Sequence, residues 1–394
     1  MHATQTIFWI CLSVAFYAYV GYPIVLCVMV LIKRTIRTEG ASAAANYEPE
    51  VTLLIAAYNE KDYVKEKMRN TQELDYLPDK LKVIWITDGS TDGTPDLLKR
   101  YPKVIVLHQD TRAGKIGAIN RGMRHVSTPI TVFCDANAQL EKYSIRRMVG
   151  LFANPKVGCV SGEKRILLDD MEAAAASGEG IYWRYESTLK RWDSELNSVV
   201  GAAGELFAIR TDLFEEVEPD TLLDDFMISM RIAQRGYKVK YNHRAYAVER
   251  ASSNITEELK RKIRISAGGI QCVVRLAPLL NIFKYGLLSF QYVSHRVLRW
   301  TLAPLCLLLV LFLNFAISIK DGFALSSVYT WFFAVQVVFY LLVVFGFLLR
   351  NRKLRARWIF IPFFFYIMNY SVFRGFIRYI KGSQSINWDR VERA

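Results

Sequence analysis

Three groups of polar side chains each follow directly after a short apolar run in the first half of the chain. They are Tyr58-Asn59-Glu60, the segment 87–93 (TDGSTDG) that contains Asp88, and Asp135 with Asn137. Carboxylate and amide groups can accept hydrogen bonds from a ligand, although a single Asp-Gly after a strand is usually only a turn. Together, the three groups indicate a ligand site.

Several common ligand motifs are missing from the sequence. A calcium-binding loop starting at Asp88 fits poorly, because Ser90 stands where an acid or amide is expected. No GxxxxGK[ST] segment occurs, and no GxGxxG segment follows the first apolar run. P-loop and dinucleotide-binding proteins are therefore disfavoured.

The polar groups belong to a region, residues 51–262, with the pattern of a soluble α/β domain. Amphipathic stretches such as Gly114–His125 separate the first four of its β-rich apolar runs. The predicted strands are Val51–Ala57, Val83–Thr87, Val104–His108, Ile130–Cys134, Val157–Ser161, Leu206–Arg210 and Lys238–Val248. This alternation predicts a mainly parallel sheet with covering helices. Ligands bind beyond the carboxyl ends of strands in such sheets, which is where the three polar groups lie.

The distribution of charge indicates a membrane protein. The 394 residues include 51 Lys and Arg against 37 Asp and Glu, a net charge of +14, and 52% are hydrophobic. Residues 281–394 alone contain 14 Lys and Arg against three Asp and Glu, whereas residues 41–280 are nearly balanced. The basic excess thus lies beside long apolar segments, as on the cytoplasmic side of membrane proteins, and nucleic acid is not an expected partner.

Three segments are long and apolar enough to predict membrane spans, namely Ile7–Ile32, Val297–Ile319 and Val328–Leu349. The bases directly after Ile32 place the following domain in the cytosol. A last stretch, Trp358–Phe373, is about 16 residues long, which fits either a short span or a re-entrant segment. Arg275–Tyr292 fits amphipathic elements on the membrane face or a buried soluble helix.

These segments divide the chain into four parts. We expect an N-terminal transmembrane helix and linker over 1–47 and a cytosolic domain over 48–270. Amphipathic interface helices over 271–296 and C-terminal transmembrane helices with a basic tail over 297–394 follow.

The order of the motifs resembles family 2 glycosyltransferases, and more narrowly the membrane-embedded members that include cellulose, chitin and hyaluronan synthases. The matching runs are VTLLIAAYNE, TDGSTDGT, AGKIGAINRG, VFCDANA, GAAGELFAIR and LLDDFMISMRIAQRGYKV, with the ending GSQSINWDRVER. The resemblance implies an α/β GT-A fold, Rossmann-like with a mixed, mainly parallel sheet, together with transmembrane helices. It also implies a multi-pass protein of the bacterial inner membrane, with its catalytic domain in the cytosol.

The resemblance assigns a UDP-sugar donor and a divalent metal, Mg²⁺ or Mn²⁺, which would stabilise the charge of the diphosphate leaving group. Asp135 matches the first residue of the family's DxD motif and is expected on the metal, while Asn137 at its third position brings an amide without charge. Asp88 matches the aspartate that contacts the nucleobase. The remaining expected donor contacts are Tyr58, Asn59, Glu60 and Lys115.

On the acceptor side, Asp225 matches the family's general base, which takes the proton of the attacking hydroxyl. A single displacement with inversion follows from that role. Asp224 stands where the motif usually has Glu, and it fits a helix cap or a supporting position as well as a catalytic one. Gly204 and Glu205 are expected near the acceptor.

The sequence departs from the polymerising relatives at their Q(Q/R)xRW motif, because residues 261–265 here are RKIRI. Lys262 and Arg264 fit contacts to the diphosphate, or alternatively a basic helix face on anionic lipid. Ile265 replaces the Trp that stacks on the acceptor sugar. Trp183 or Trp192, on the helical stretch 172–196, is an alternative stacking residue, although both are expected to pack in the core.

The expected activity is transfer of a hexose or N-acetylhexosamine to a growing saccharide in exopolysaccharide synthesis. Single addition to a lipid-linked acceptor is the alternative, and partners in a secretion complex are a further expectation. An inactive scaffold subunit is disfavoured, because Asp88, Asp135 and Asp225 are all retained.

Overall fold

The computed structural model describes residues 2–36, 47–167, 176–250, 255–349 and 357–382. Most of the expected linker, the basic residues 350–356 and nearly all of the tail motif lie outside the described residues.

An eight-stranded mixed sheet forms the centre of the domain that follows the first helix. Its strand order is β3-β2-β1-β4-β7-β6-β8-β5. Strands β1 to β4 run parallel, β7 is antiparallel to both neighbours, β6 and β8 are parallel, and β5 is antiparallel to β8. The strands are β1 Val51–Ala57, β2 Leu81–Asp88, β3 Val104–Gln109, β4 Ile130–Asp135, β5 Gln139–Leu140, β6 Val157–Leu167, β7 Leu206–Arg210 and β8 Lys238–Arg250. The seven predicted strands are confirmed. The two-residue β5 was missed because it is too short to show an alternation of apolar and polar residues.

Helices cover both faces of this sheet. They are α3 Lys61–Gln72, α4 Thr94–Leu98, α5 Gly114–Met123, α6 Ser144–Val149, α7 Ala176–Leu196 and α8 Asp224–Gln234. Alternate residues of β1 pack into two hydrophobic clusters. Leu54 belongs to the cluster that contains residues of α5 and α8, and Leu53 belongs to the cluster that contains residues of α3 and α6. All seven residues of β1 are buried, as expected for a central strand covered on both faces.

The N-terminal helix is longer than the predicted span. It consists of α1 His2–Phe16, a π-helical turn Tyr17–Gly21 and α2 Tyr22–Ile36. One face of α2 packs on α7, with Leu26 and Val30 against Leu189, and Arg34 pairs with Glu195 at 2.5 Å. The second half of this helix therefore belongs to the contact with the sheet domain.

The chain returns from the sheet domain to the apolar helices through one long helix and a series of short elements. They are α9 Ile255–Arg275, a 3₁₀ turn Ala277–Leu280, α10 Ile282–Tyr285, α11 Leu287–Tyr292, a π-helical turn Val293–Val297 and α12 Leu298–Trp300. The expected domain boundary at residue 270 falls inside α9. Phe283 is 98% exposed and Ile282 is also exposed, in keeping with the amphipathic pattern noticed in the sequence.

Three apolar helices complete the described chain, α13 Leu302–Lys320, α14 Val328–Leu349 and α15 Arg357–Ile380. The predicted span from Val297 is interrupted at Thr301 (φ −134°, ψ −87°), because the ring of Pro304 cannot be accommodated against a helical carbonyl four residues earlier. The predicted 16-residue stretch is part of the 24-residue helix α15. Four helices of the described chain are long and apolar enough to cross a bilayer, which is typical of a membrane protein.

Candidate active site

A cavity of about 980 Å³ opens at the carboxyl edge of the sheet, between that edge, α7, α9 and the apolar helices. Most of the predicted site residues line it, namely Glu60, Lys115, Asp135, Asn137, Gly204, Glu205, Asp224, Asp225, Lys262 and Arg264. Tyr58, Asn59 and Asp88 are not among its lining residues. The apolar helices contribute Tyr19, Ile361, Phe364, Phe365, Met368 and Val372 to the same cavity.

Lys115 joins two acidic residues on one side of the cavity. Its Nζ lies 2.8 Å from Asp135 Oδ1 and 3.6 Å from Asp224 Oδ2. Burial opposes the charge of Lys115, but Asp135 and Asp224 outweigh burial and raise its pKa. Burial raises the pKa of Asp135, and Lys115 counteracts that effect. The lysine therefore stabilises two carboxylates that would otherwise repel each other.

The residues available for a metal are few. No group of three or more His, Cys, Asp or Glu side chains close enough to hold an ion occurs in the described part of the chain. Mg²⁺ and related ions are commonly held by one or two carboxylates together with substrate phosphates and water. Asp135 and Asn137 line the cavity, and the buried Asp224 Oδ2 accepts no hydrogen bond from the residues that the structure describes. Such oxygens fit a metal ion whose remaining ligands come from the substrate.

Asp225 lies in the first turn of α8 and faces the cavity. Burial and then the neighbouring charge of Asp224 raise its pKa to about 7, while Lys115 acts in the opposite direction. Neither aspartate caps the helix, because its N-cap is Leu223 and no side-chain capping hydrogen bond forms there. The capping role considered for Asp224 is therefore wrong. A carboxylate with a pKa near neutrality can accept and release protons at physiological pH.

The loop before β7 brings its backbone close to Asp225. A Cβ atom placed on Gly204 would lie 3.2 Å from Asp225 Oδ2, so glycine permits the close approach. Ser161 and Ser229 accept hydrogen bonds from the N–H groups of Ala203 and Ala202, both at 3.0 Å, and so hold this loop.

Glu205 is already engaged in ion pairs. It pairs with Lys164, and Arg261 lies 3.5 Å away. Burial opposes its ionisation, but these two cations outweigh burial and lower its pKa. Lys164 also pairs with Glu249 at 2.6 Å, so Glu205 is one member of a buried charge network that borders the cavity.

Three cations of α9, Arg261, Lys262 and Arg264, line the cavity. Lys262 is buried, lies 3.2 Å from Glu258, and faces the rings of Tyr182, Trp183 and Phe364 at 5.4–5.5 Å. Arg264 lines the cavity and forms no ion pair within the described ranges. These positions fit anion contacts within the cavity better than a helix face on lipid.

The two tryptophans expected in the core lie in different places. Trp192 packs in the cluster between α2 and α7, as expected. Trp183 instead lines the cavity together with Ile265, so the expectation of core packing is wrong for Trp183. Its ring lies within cation–π range of Lys262, which makes it an aromatic wall rather than a packing residue.

Asp88 fixes the start of α5. Its carboxylate accepts hydrogen bonds from the N–H groups of Ala113 and Gly114 at 2.7–3.1 Å. The guanidinium of Arg112 stacks on the ring of Tyr58 at 3.6 Å. Asn59 has a positive φ of 54°, and its Oδ1 accepts a hydrogen bond from Thr91 N at 2.9 Å. These three predicted donor residues therefore also connect the loops after β1, β2 and β3.

Several cavity residues were not anticipated from the sequence. From α7 they are Tyr182, Glu186 and Lys190, and the segment before α13 adds Arg296, Arg299 and Trp300. The spacing of four between Tyr182, Glu186 and Lys190 places them on one helix face, which is the one signal the sequence offered. Tyr19 and the residues of α15 gave no signal, because their contacts with the sheet domain are distant in sequence.

Comparison with known proteins agrees with this architecture. Residues 52–218 match the family model described as Glycosyl transferase family 2. The poly-beta-1,6-N-acetyl-D-glucosamine synthase of Staphylococcus epidermidis is 24% identical over 294 residues, 72% of this chain and 69% of that protein. The synthase of the same name from Staphylococcus aureus strain MSSA476 is 26% identical over 57% of this chain, and the match spans only 56% of its length.

A solved structure shares the fold over nearly the whole chain. It is the mannosyltransferase PcManGT from Pyrobaculum calidifontis in complex with GDP-Man and Mn2+, with a TM-score of 0.70 and 21% identity. The similarity covers 96% of this chain and 99% of that one, so it includes the apolar helices as well as the sheet. The family match over residues 52–218 and the shared fold together support a family 2 glycosyltransferase with a GT-A-like domain.

Proposed function

We propose that the protein transfers a sugar from a UDP-sugar to a growing saccharide, with inversion, during synthesis of a cell-surface polysaccharide. The observation that supports this most directly is Asp225, an acid with a pKa of about 7 that faces the same cavity as the Lys115–Asp135 pair. The curated relatives named above are polysaccharide synthases, which supports the class of product.

On the donor side, Asp135 and Asn137 are the proposed ligands of Mg²⁺ or Mn²⁺. When bound, such an ion would neutralise charge on the diphosphate leaving group. Lys115 and Arg264, with Lys262, would hold the diphosphate oxygens. Tyr58, Asn59, Glu60 and Asp88 would form the uridine end of the site.

On the acceptor side, Asp225 would accept the proton of the attacking hydroxyl. The new bond joins the acceptor oxygen to the anomeric carbon, the bond from that carbon to the diphosphate oxygen breaks, and UDP leaves. The raised pKa of Asp225 suits the task, since a base is most effective when its pKa lies near the working pH. The close approach of Gly204 leaves room for the acceptor beside this carboxylate, and Glu205 would contact the acceptor from its ion-paired position.

We place the enzyme at the cytosolic face of the inner membrane, with residues 48–270 catalytic and the flanking segments in or on the bilayer. The bases Lys33 and Arg34 lie in the last turn of α2 and contact α7, which supports a cytosolic position for that domain. The apolar helices lining the cavity favour a second candidate function, addition of one sugar to a lipid-linked acceptor.

The test is a donor screen on the purified full-length protein in lipid nanodiscs, measured as UDP release with Mn²⁺ or Mg²⁺. We expect release from one UDP-sugar above that from the others, and its loss with a chelator. No metal-dependent release of UDP from any UDP-sugar would refute the proposal. The product length then separates the two candidates, because a long polymer excludes single addition and one added residue excludes a processive synthase.

A further inference from the structure

Lys190 is a buried cation that faces the cavity. It is 8% exposed and lies on α7 one helical turn after Glu186. It forms no hydrogen bond or ion pair with the parts of the chain that the structure describes, whereas a buried ammonium is stable only when its charge is compensated. Burial, followed by the nearby charge of Arg296, lowers its pKa.

Glu186 favours the charged form of Lys190, but this carboxylate is already engaged by several other basic side chains. Glu186 lies 3.1 Å from Arg296, 2.7 Å from Arg299 and 3.3 Å from His295. Arg296 in turn stacks within 5.7 Å of the ring of Trp300. The wall of the cavity that contains Lys190 and Arg296 therefore carries an excess of positive charge.

This wall differs from the side proposed for the donor diphosphate. The charges that act on Lys190 come from Arg296, Glu186, Glu205 and Asp225. Those that act on Arg264 come from Arg261, Asp224, Asp135 and Arg378. The cavity therefore has two groups of cations in different surroundings. Arg264 belongs to the group near Asp135, and Lys190 belongs to the group near the candidate base Asp225.

Next to this wall, the cavity continues along apolar helices. Phe364, Phe365 and Met368 of α15 line it together with Tyr19. Tyr19 and Phe365 meet edge to face with ring centroids 4.9 Å apart, and Tyr19 Oη donates a hydrogen bond to Asn369 Oδ1 at 2.7 Å. An anionic ligand at Lys190 could thus extend an apolar portion over these rings.

We infer that Lys190 and Arg296 form a second anion subsite, which binds an acidic group carried by the acceptor. This inference rests on the proposed function, because it places the acceptor on the side of Asp225 away from the donor. The acidic group is either the phosphate of a membrane lipid or the carboxylate of an acidic sugar, and both would accept hydrogen bonds from the same two cations.

The test is direct binding to the full-length protein in phosphatidylcholine nanodiscs, with three probes: farnesyl phosphate, farnesol and methyl glucuronide. The variants are Lys190→Gln, Lys190→Arg and the matched control Arg191→Gln, which removes the same charge from the exposed neighbouring position of α7. Binding of UDP with Mn²⁺ is measured on every variant, so that failure of the donor site is recognised separately from failure of this subsite.

We expect Lys190→Gln to weaken binding of the acidic probe by about tenfold or more, since charge-assisted hydrogen bonds are lost. Lys190→Arg and Arg191→Gln should bind it as the wild type does, and UDP binding should be unchanged throughout. Tighter binding of farnesyl phosphate than of farnesol assigns the acidic group to a lipid. Tighter binding of methyl glucuronide than of farnesyl phosphate assigns it to a sugar. Equal binding of farnesyl phosphate and farnesol with no binding of the glucuronide, or an undiminished affinity in Lys190→Gln, would overturn the inference.

Discussion

Lys115 Nζ lies 2.8 Å from Asp135 Oδ1, so the proposed metal ligand is held by an ammonium group from the first turn of α5. The same ammonium lies 3.6 Å from Asp224, the neighbour of the candidate base. One side chain therefore links the proposed donor and acceptor sides of the cavity. The charge of Lys115 influences the ionisation of Asp135 and of Asp225, and through them the pH dependence expected for the reaction.

The pH dependence should follow Asp225. Its carboxyl has a pKa raised to about 7, so the basic form that accepts a proton is lost below that pH and predominates above it. We therefore expect kcat/KM for the acceptor to rise with pH through about 7. Because Lys115 lowers the pKa of Asp225, Lys115→Gln should shift this rise to higher pH, whereas Lys82→Gln on an exposed strand end should not. A profile that is flat across neutral pH would contradict the assignment.

Asp225→Asn should abolish turnover without abolishing donor binding. The amide keeps the shape of the side chain but cannot take the proton, and general-base catalysis usually contributes about 10²–10⁴-fold. Turnover is measured as UDP release, and donor affinity by titration with a UDP-sugar and Mn²⁺. Asp220→Asn is the matched control, since Asp220 precedes the same helix but pairs with Arg275 at 2.7 Å. Full activity in Asp225→Asn would show that Asp225 is not the general base.

Gly204→Ala should lower kcat by about fivefold to tenfold, because small displacements of a catalytic group are costly. The added methyl group would lie 3.2 Å from Asp225 Oδ2 and push the carboxylate away from the acceptor. Gly150→Ala is the control, since a Cβ there would have nothing within 4 Å. If both variants are as active as the wild type, the close approach has no catalytic role.

Asn137→Asp should strengthen metal binding. A second carboxylate beside Asp135 adds one negative charge, and we expect the Mn²⁺ concentration at half-maximal activity to fall by about threefold to tenfold. Asp135→Asn should have the opposite effect. The titration is carried out at saturating donor, after removal of metal with a chelator. An unchanged requirement in both variants would show that the ion is held elsewhere.

Asp193→Ala should destabilise the contact between the first helix and the sheet domain. The carboxylate of Asp193 is fully buried and accepts hydrogen bonds from Tyr22 at 2.5 Å, Gln291 at 2.9 Å and His295 at 2.6 Å. The substitution removes the acceptor of these buried groups, and a buried polar group left without its hydrogen bond typically costs about 1–3 kcal/mol. The melting temperature in detergent should fall clearly below that of the wild type, while the exposed control Asp79→Ala should melt as the wild type does.

The sequence was sufficient to predict the strands and the polar groups at their ends. Buried parallel strands are continuous apolar runs, and their ends are marked by residues such as Asp135 that break the run. It was not sufficient for the wall of the cavity formed by α7 and the apolar helices. Contacts such as Tyr19 with Asn369 join residues 350 positions apart, and no local period encodes them.

Asp88 shows why a residue's role was harder to predict than its position. The motif placed it at the end of β2, where the structure has it, but its carboxylate accepts hydrogen bonds from backbone N–H groups that only the fold brings there. The interruption at Thr301 was similarly hidden, because Pro304 lies within an otherwise continuous apolar run.

The two π-helical turns face each other, since Tyr17 Oη and Ser294 Oγ form a hydrogen bond of 2.9 Å and Arg299 Nε donates one to Ala18 O at 3.0 Å. Each π turn holds one residue more than an α turn, and each residue rotates an α-helix by about 100°. Deleting Ala18 would therefore turn Tyr22 away from Asp193. The length of the first helix thus sets the direction in which Tyr22 points. Another membrane anchor could replace this helix only if it directed Tyr22 towards Asp193 in the same way.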